Sequence, residues 1–292
     1  MMKNNFLKVL IVALMSSTIY SQSPVDGFMQ GKGNGNVVVS YAMEKYDKVL
    51  LVPKEVDAVP VFNDVTLTSQ SIYATYGLLN NLDVVVSLPY ITAKGNASEA
   101  VLTNLNFQNE RSGLQDISLF LKFNPFNVNI GSSKLSFIGS LGYQAPVGNY
   151  KVDEGLQSII AIGNRAQTVS MIGIAMFKTK YGIFTTGQFG ATTSTNGVPD
   201  AYMSDIKLGF AASKIYADAF LSYKAALSGT DILGQGFTGF FPGTRVNATK
   251  VGLNLYAPVY KKIGLAGGAS SYISGRNLGK GTIFYGALVY KI

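Results

Sequence analysis

Apolar and polar residues alternate at every second position through most of this chain. Between Asp116 and Phe123, Ile117, Leu119, Leu121 and Phe123 share one face, and Asp116, Ser118, Phe120 and Lys122 share the other. Between Ile215 and Lys224, Ile215, Ala217, Ala219, Leu221 and Tyr223 oppose Tyr216, Asp218, Phe220, Ser222 and Lys224. The same split runs through Leu82 to Tyr90, Lys134 to Gln144, Ser204 to Ala212 and Lys250 to Ala257. A period of two marks a strand with one apolar face. Two segments resist the division. Thr168 to Lys178 is apolar on both faces, and Ile263 to Tyr272 is too rich in Gly and Ala to assign.

The connections between these segments alternate in length. Tight ones fall near Leu79–Asn81, Phe126–Ser132, Thr179–Lys180, Ser213–Lys214 and Pro258–Lys261. Long ones cover about Glu44–Asp64, Thr92–Gly113, Ala145–Gln167, Thr192–Ala201, Ala225–Val246 and Ser274–Gly279. Short turns at one end and long loops at the other predict an antiparallel up-and-down transmembrane β-barrel of about twelve strands. A β-sandwich would alternate as well, but its Greek-key crossings would not sort connection lengths by end. Phe284, Leu288, Tyr290 and Ile292 share a face at the chain end, as a closing barrel strand would.

A leader changes the picture next. Lys3 and Lys8 precede the uncharged stretch Val9 to Met15, and small residues follow. This predicts a signal peptide over 1–21, cut after Ser21. A flexible N-terminal segment over 22–35 and an outer-membrane barrel over 36–292 complete the expected organisation. Charged residues make up only 14% of the chain, against about 25% in ordinary globular domains. A barrel needs no charge at membrane depth, because its ladder satisfies the backbone. Losing Lys3 and Lys8 with the leader takes the net charge from +8 to +6. The lysines form no run or stripe, so nucleic acid is not an expected partner.

Chemistry is constrained by absence. With no His and no Cys, the chain cannot build a Ser-His-carboxylate site, a Cys nucleophile or a typical zinc site. Asp153 and Glu154 are adjacent in a long loop and read as solvated charges rather than an acid–base pair. Gly31 to Asn36 and Gly275 to Thr282 imitate phosphate loops, but their glycine spacing is wrong. The expectation is no enzyme, no cofactor and no metal.

The polar faces of the strands are the remaining candidates. If the apolar faces meet lipid, the lumen carries Asp83, Asp116, Lys122, Lys134, Gln188, Asp205, Lys207, Asp218, Lys224 and Lys250. Such residues either line a path or form a network that fills the barrel, since about twelve strands lies between filled and open sizes. The long loop Ala225–Val246 holds Phe237, Phe240 and Phe241, candidates for a mouth or constriction. Tyr76, Tyr90, Phe123, Phe126, Tyr143, Phe177, Tyr181, Tyr202, Tyr216, Tyr256, Tyr260 and Tyr290 lie near turns and are expected to form two interfacial girdles.

Specific stretches also resemble a known family. Tyr76 to Tyr90 (YGLLNNLDVVVSLPY), Gly113 to Phe123 (GLQDISLFLKF) and Leu141 to Tyr150 (LGYQAPVGNY) are similar to the outer-membrane transporters named for the meta-pathway of phenol degradation. Gln115 stands where that family has glycine, and Phe123 where it has tyrosine. The resemblance covers about Thr66 to Tyr150. It implies an outer-membrane channel passing small hydrophobic or aromatic solutes, and it carries no functional residues. The turn residues Asn80 and Asn81 are explained by tolerance of the left-handed conformation, and Pro89 and Pro146 by strand ends. Expected partners are membrane lipid and lipopolysaccharide, a small solute and the outer-membrane insertion machinery. Transport would be passive. The alternative is a non-conducting structural or partner-binding barrel serving surface assembly or secretion.

Overall fold

The computed structural model describes residues 23–292, so the expected signal peptide lies outside the described residues. Twelve antiparallel strands form a closed barrel. They are β1 (Gly35–Tyr46), β2 (Val65–Leu79), β3 (Leu82–Gly95), β4 (Asp116–Ile130), β5 (Ser133–Pro146) and β6 (Thr168–Lys178). The circuit continues with β7 (Ile183–Ser194), β8 (Ala201–Ala211), β9 (Tyr216–Ala226), β10 (Asn247–Tyr260), β11 (Ile263–Arg276) and β12 (Thr282–Lys291). Each strand pairs with its sequence neighbours, and β1 closes the circuit on β12, from Asn36 opposite Lys291 to Lys45 opposite Thr282. Closure removes the sheet edge, so every strand has a partner on both sides.

The pleat explains the alternation. Val39, Leu119, Leu121, Phe189, Ile206, Leu208 and Leu253 all point outward, and each is 46–62% exposed. Such a continuous apolar belt suits acyl chains rather than water. The barrel spans a membrane.

Several local readings need correction. Tyr216 and Tyr256 belong to neither girdle. Both rings point inward and are only 3% exposed, because each falls on the inward phase of its strand. Asn80 and Asn81 are not left-handed. Positive φ occurs in other tight turns, at Gly131, Gly182 and Lys261, while the β2–β3 hairpin carries a bulge between Gly77 and Leu79. Pro89 sits within β3 rather than at its end. Opposite it the neighbouring strand breaks at Gln115, separating the outer piece Glu110–Leu114 from β4, and the Pro89 carbonyl accepts the Gln115 N–H at 3.0 Å. A break in the partner is how a sheet tolerates proline. β4 extends into the expected Phe126–Ser132 connection and ends at Ile130, so the turn occupies only Gly131 and Ser132.

The unassignable segment in β11 has a packing cause. Gly264 and Gly268 leave room for the rings of Tyr256 and Tyr285, which lie where a Cβ would come within 2.3 Å and 2.5 Å of them. Small residues on one strand are covered by aromatics from its neighbours.

At the loop end, the long connections fold into a second apolar core. Val49, Leu51, Val59, Phe62, Tyr150, Ile160 and Ile162 form it with the inward residues Val65, Ile91 and Ala93 of β2 and β3. The 96–109 connection carries a short helix, α1 (Glu99–Leu105), capped by the Ser98 side chain. Leu278–Gly279 pairs with Val49–Leu50, which pairs in turn with Glu55–Val56.

Candidate functional site

The lumen is occupied by a segment of the chain that precedes β1. Residues 23–34, expected to be flexible, enter at the turn end and pack inside the barrel. The Gly33 N–H donates to the Gly77 carbonyl and the Gly77 N–H to the Asn34 carbonyl, both at 2.9 Å. Lys32 N–H donates to Asn80 Oδ1 at 3.2 Å. Gly77 is needed for this approach, since a Cβ there would sit 2.0 Å from the Gly31 carbonyl oxygen. Deeper in, Val25 and Phe28 are 0% and 2% exposed. The Phe28 ring meets Phe184 edge-on at 5.1 Å and Tyr216 at 6.0 Å. Ile172, Ile174 and Met176 from the inward face of β6 belong to the same cluster. That accounts for β6 being apolar on both faces: lipid lies outside and the segment inside.

Polar contacts fix the segment's register. Lys122 Nζ donates to the Phe28 carbonyl at 2.6 Å and to Asp26 Oδ1 at 3.1 Å, and lies 3.7 Å from Asp83 Oδ2. Asp83 accepts the Gln30 N–H at 2.9 Å, and Asp26 accepts the Phe28 N–H at 2.9 Å. Lys122 and Asp83 are 2% and 0% exposed. Two wall residues thus clamp one carboxylate and the backbone of the inserted segment, with charge-assisted bonds that are stronger than neutral ones.

The other lumen candidates divide between networks and a cavity. Asp205 accepts from the Ser222 hydroxyl, and Asp218 accepts from Tyr216 Oη at 2.5 Å and Asn254 Nδ2 at 2.8 Å. Tyr285 Oη extends that chain to Asn254 Oδ1 at 2.8 Å. Lys250 lies 5.6 Å from the Tyr272 ring centroid. Lys207 and Gln188 are buried on the same inward face, and Lys134 is exposed at the turn end. Asp116 and Lys224 line a cavity of about 180 Å³ in the loop-side half of the lumen, with Gln115, Gln144 and Thr192. Pro24 of the inserted segment is part of its wall.

The 147–167 connection had shown only its length in the sequence, yet it crosses the mouth. Its Asn164 and Ala166 line the luminal cavity, while Leu156 and Ile159 line a separate space among the loops. Tyr150 Oη donates to Asp116, anchoring the connection to β4, and accepts the Arg165 N–H at 3.0 Å. Glu154, expected to be solvated, pairs with Arg111 and is about three-quarters buried. Phe237 and Phe241 of the 227–246 connection meet edge to face at 5.3 Å, Phe240 lies against Gly197, and Phe241 faces the space among the loops.

The 227–246 connection is tied down by charge. Arg276 Nη2 donates to Asp231 Oδ2 at 2.5 Å and its Nε to Oδ1 at 2.6 Å, with Asn277 Nδ2 adding a bond to Oδ1 at 2.9 Å. The Arg276 guanidinium first, and the Asn277 amide after it, hold the Asp231 carboxyl down to about 2. A depressed carboxylate stabilises above its unfolded value and loses that contribution as pH falls through the folded one. The tie is therefore expected to hold at pH 3.5 and fail near pH 2. Pepsin should leave 227–246 intact at pH 3.5 and cut it near pH 2, and Asp231→Asn should be cut at both. Equal cutting of wild type and variant at pH 3.5 would show that the pair does not hold the connection.

No family model and no curated protein matches the sequence. Among solved structures, the chain is similar to the COG4313 outer membrane channel from Pseudomonas putida F1, with 14% identity, a TM-score of 0.69, 96% of this chain covered and 100% of that one. The fold is that of an outer-membrane β-barrel. A weaker likeness joins it to the KdgM porin, at 6% identity and a TM-score of 0.48 over 87% of this chain and 98% of that one. Another joins it to the translocator domain of the autotransporter NalP from Neisseria meningitidis, at 11% identity and a TM-score of 0.43 over 89% and 88%.

Proposed function

We propose that this outer-membrane barrel is a passive channel for small hydrophobic or aromatic solutes, closed at rest by residues 23–34. One observation carries the reading: the obstruction is a separate stretch of chain and not the barrel wall. It enters from the turn end, and the loop-side cavity ends on its Pro24. Shifting twelve residues clears the waist of the lumen without moving a wall strand. Buried polar atoms around the segment support a passage that is wet when open. Among the described residues, Asp83 Oδ1, Ser140 Oγ, Thr186 Oγ1 and both side-chain ends of Gln188 have no hydrogen-bond partner, whereas a permanently dry core satisfies such groups.

The preference for hydrophobic or aromatic solutes rests on the resemblance of Tyr76–Tyr90, Gly113–Phe123 and Leu141–Tyr150 to the phenol-pathway transporters, and on apolar residues gathered at the loop end. The test is uptake of a small aromatic tracer into liposomes holding the full mature protein, beside single-channel recording. Flux above that of protein-free liposomes supports the channel. Neither flux nor conductance, in wild type or in a chain lacking 23–34, would sink it.

A second reading is favoured by the filled waist: a non-conducting barrel whose loops bind a partner. The ion pairs of Lys122 with Asp83 on the wall and with Asp26 on the inserted segment are what such a scaffold requires. The same recordings separate the two, because a scaffold stays silent when the segment is removed.

A further inference from the structure

Among the outer loops lies a half-open, mostly apolar pocket of about 200 Å³, apart from the lumen and the inserted segment. Four connections build it. Val49 and Leu51 come from 47–64, Leu156 and Ile159 from 147–167, Ile232 and Phe241 from 227–246, and Leu278 and Gly279 close one side. No charged side chain lines it, and Tyr46 is the phenol on its wall. Its two short polar side chains are already engaged. Ser158 Oγ donates to the Val152 carbonyl and accepts the Glu154 N–H, both at 3.0 Å. Asn277 donates to Asp231 and to the Arg245 carbonyl, and its oxygen accepts the Ile232 N–H at 3.2 Å. A solute entering there finds apolar contact and no free hydrogen-bonding group from either residue.

We infer that this space is a capture site for a small, neutral, monocyclic aromatic molecule, held outside the membrane before it reaches the barrel mouth. The inference rests on the channel reading above and adds a place where the solute first binds. Size and chemistry set the class. An apolar cavity of about 150 Å³ stays dry and accepts benzene, so this one suits a single ring with a small apolar substituent. A carboxylate is excluded, because no cationic side chain lines the pocket to replace its hydration. Position fits the role as well. The 147–167 connection contributes Leu156 and Ile159 to this wall and Asn164 and Ala166 to the luminal cavity, so one stretch of backbone borders both.

The test uses full mature protein in lipid nanodiscs, with fluorobenzene as the probe and fluorine relaxation as the readout against empty nanodiscs. Wild type is expected to bind it saturably and to ignore fluorobenzoate. Leu156→Trp sets an indole at the rim of the pocket, where Leu156 is partly exposed. It should weaken fluorobenzene binding by at least about tenfold, the equivalent of losing roughly two buried methylene groups. The chain has no other Trp, so its emission also reports whether the indole is enclosed. Leu227→Trp, on an exposed position outside the cavity, should bind as wild type. Phe241→Ala enlarges the space and should shift preference toward naphthalene, which guards against a misfolded first variant.

The inference is overturned by the absence of saturable binding above empty nanodiscs, or by unchanged binding in both Leu156→Trp and Phe241→Ala. Failure of the channel reading looks different: binding would persist while liposome flux is absent. Flux that continues unaltered in a variant that no longer binds would mean the site is no station on the route.

Discussion

A mature chain lacking residues 23–34 is expected to conduct at least about fivefold better than wild type, since a twelve-strand lumen lies between the filled eight-strand and open sixteen-strand sizes. The deleted residues contribute no barrel strand, and β1 begins only at Gly35. Barrel yield and heat-modifiable gel mobility should therefore survive the deletion. Removal withdraws Val25 and Phe28 from the inner cluster and the Pro24 wall from the loop-side cavity. It leaves Ile172, Ile174 and Met176 of β6 facing water. The variant is expected to be less stable than wild type as well as leakier. A folded deletion variant with wild-type conductance would place the barrier elsewhere, in the loops or the side-chain networks.

The second large effect should come from Lys122→Met. This residue is 2% exposed and stands between Asp26 and Asp83. Removing one partner of a buried ion pair costs about 3–5 kcal/mol, because the charge left behind is uncompensated. Here two carboxylates are left, one on the wall and one on the inserted segment, and they repel. The segment should leave its seat without being deleted, raising conductance and lowering the unfolding midpoint together. Pairing the change with Asp83→Asn removes the wall charge and should restore part of both. Equal behaviour of Lys122→Met and wild type in recordings and thermal unfolding would show that the clamp is not what holds the segment.

The fold was legible because one rule, alternation every second residue, decides the face of nearly every strand residue. Asp83, Asp116, Lys122, Asp205 and Asp218 fall on the inward phase for that reason. The rule failed where a partner outside the strand sets composition. β6 looked ambiguous because its inner face packs on Phe28, and β11 because rings from adjacent strands cover its glycines. Tyr216 and Tyr256 were read from nearness to turns, when strand phase governs where a ring points. The plug was missed because Gly31 to Asn36 reads as flexible spacer. Val25, Phe28 and Met29 just before it were the available signal, since a solvated tail has no reason to carry them. A both-sided apolar strand in a membrane barrel is the matching signal from the wall. The mouth-crossing connection had no comparable mark, because the bonds of Tyr150, Arg165 and Glu154 join residues distant in sequence.

The junction of β1 with β12 has a consequence for how the molecule is made. Asn36 faces Lys291 across it, and the Ile292 N–H reaches the Gly35 carbonyl at 2.8 Å. β1 thus waits for β12 before its outer hydrogen bonds are met. Until the C-terminal hairpin arrives, two ribbons remain unpaired, each able to recruit a neighbouring molecule. The cylinder can therefore form only once β12 has been made, and residues 23–34 acquire their surrounding wall only when that final pairing is complete.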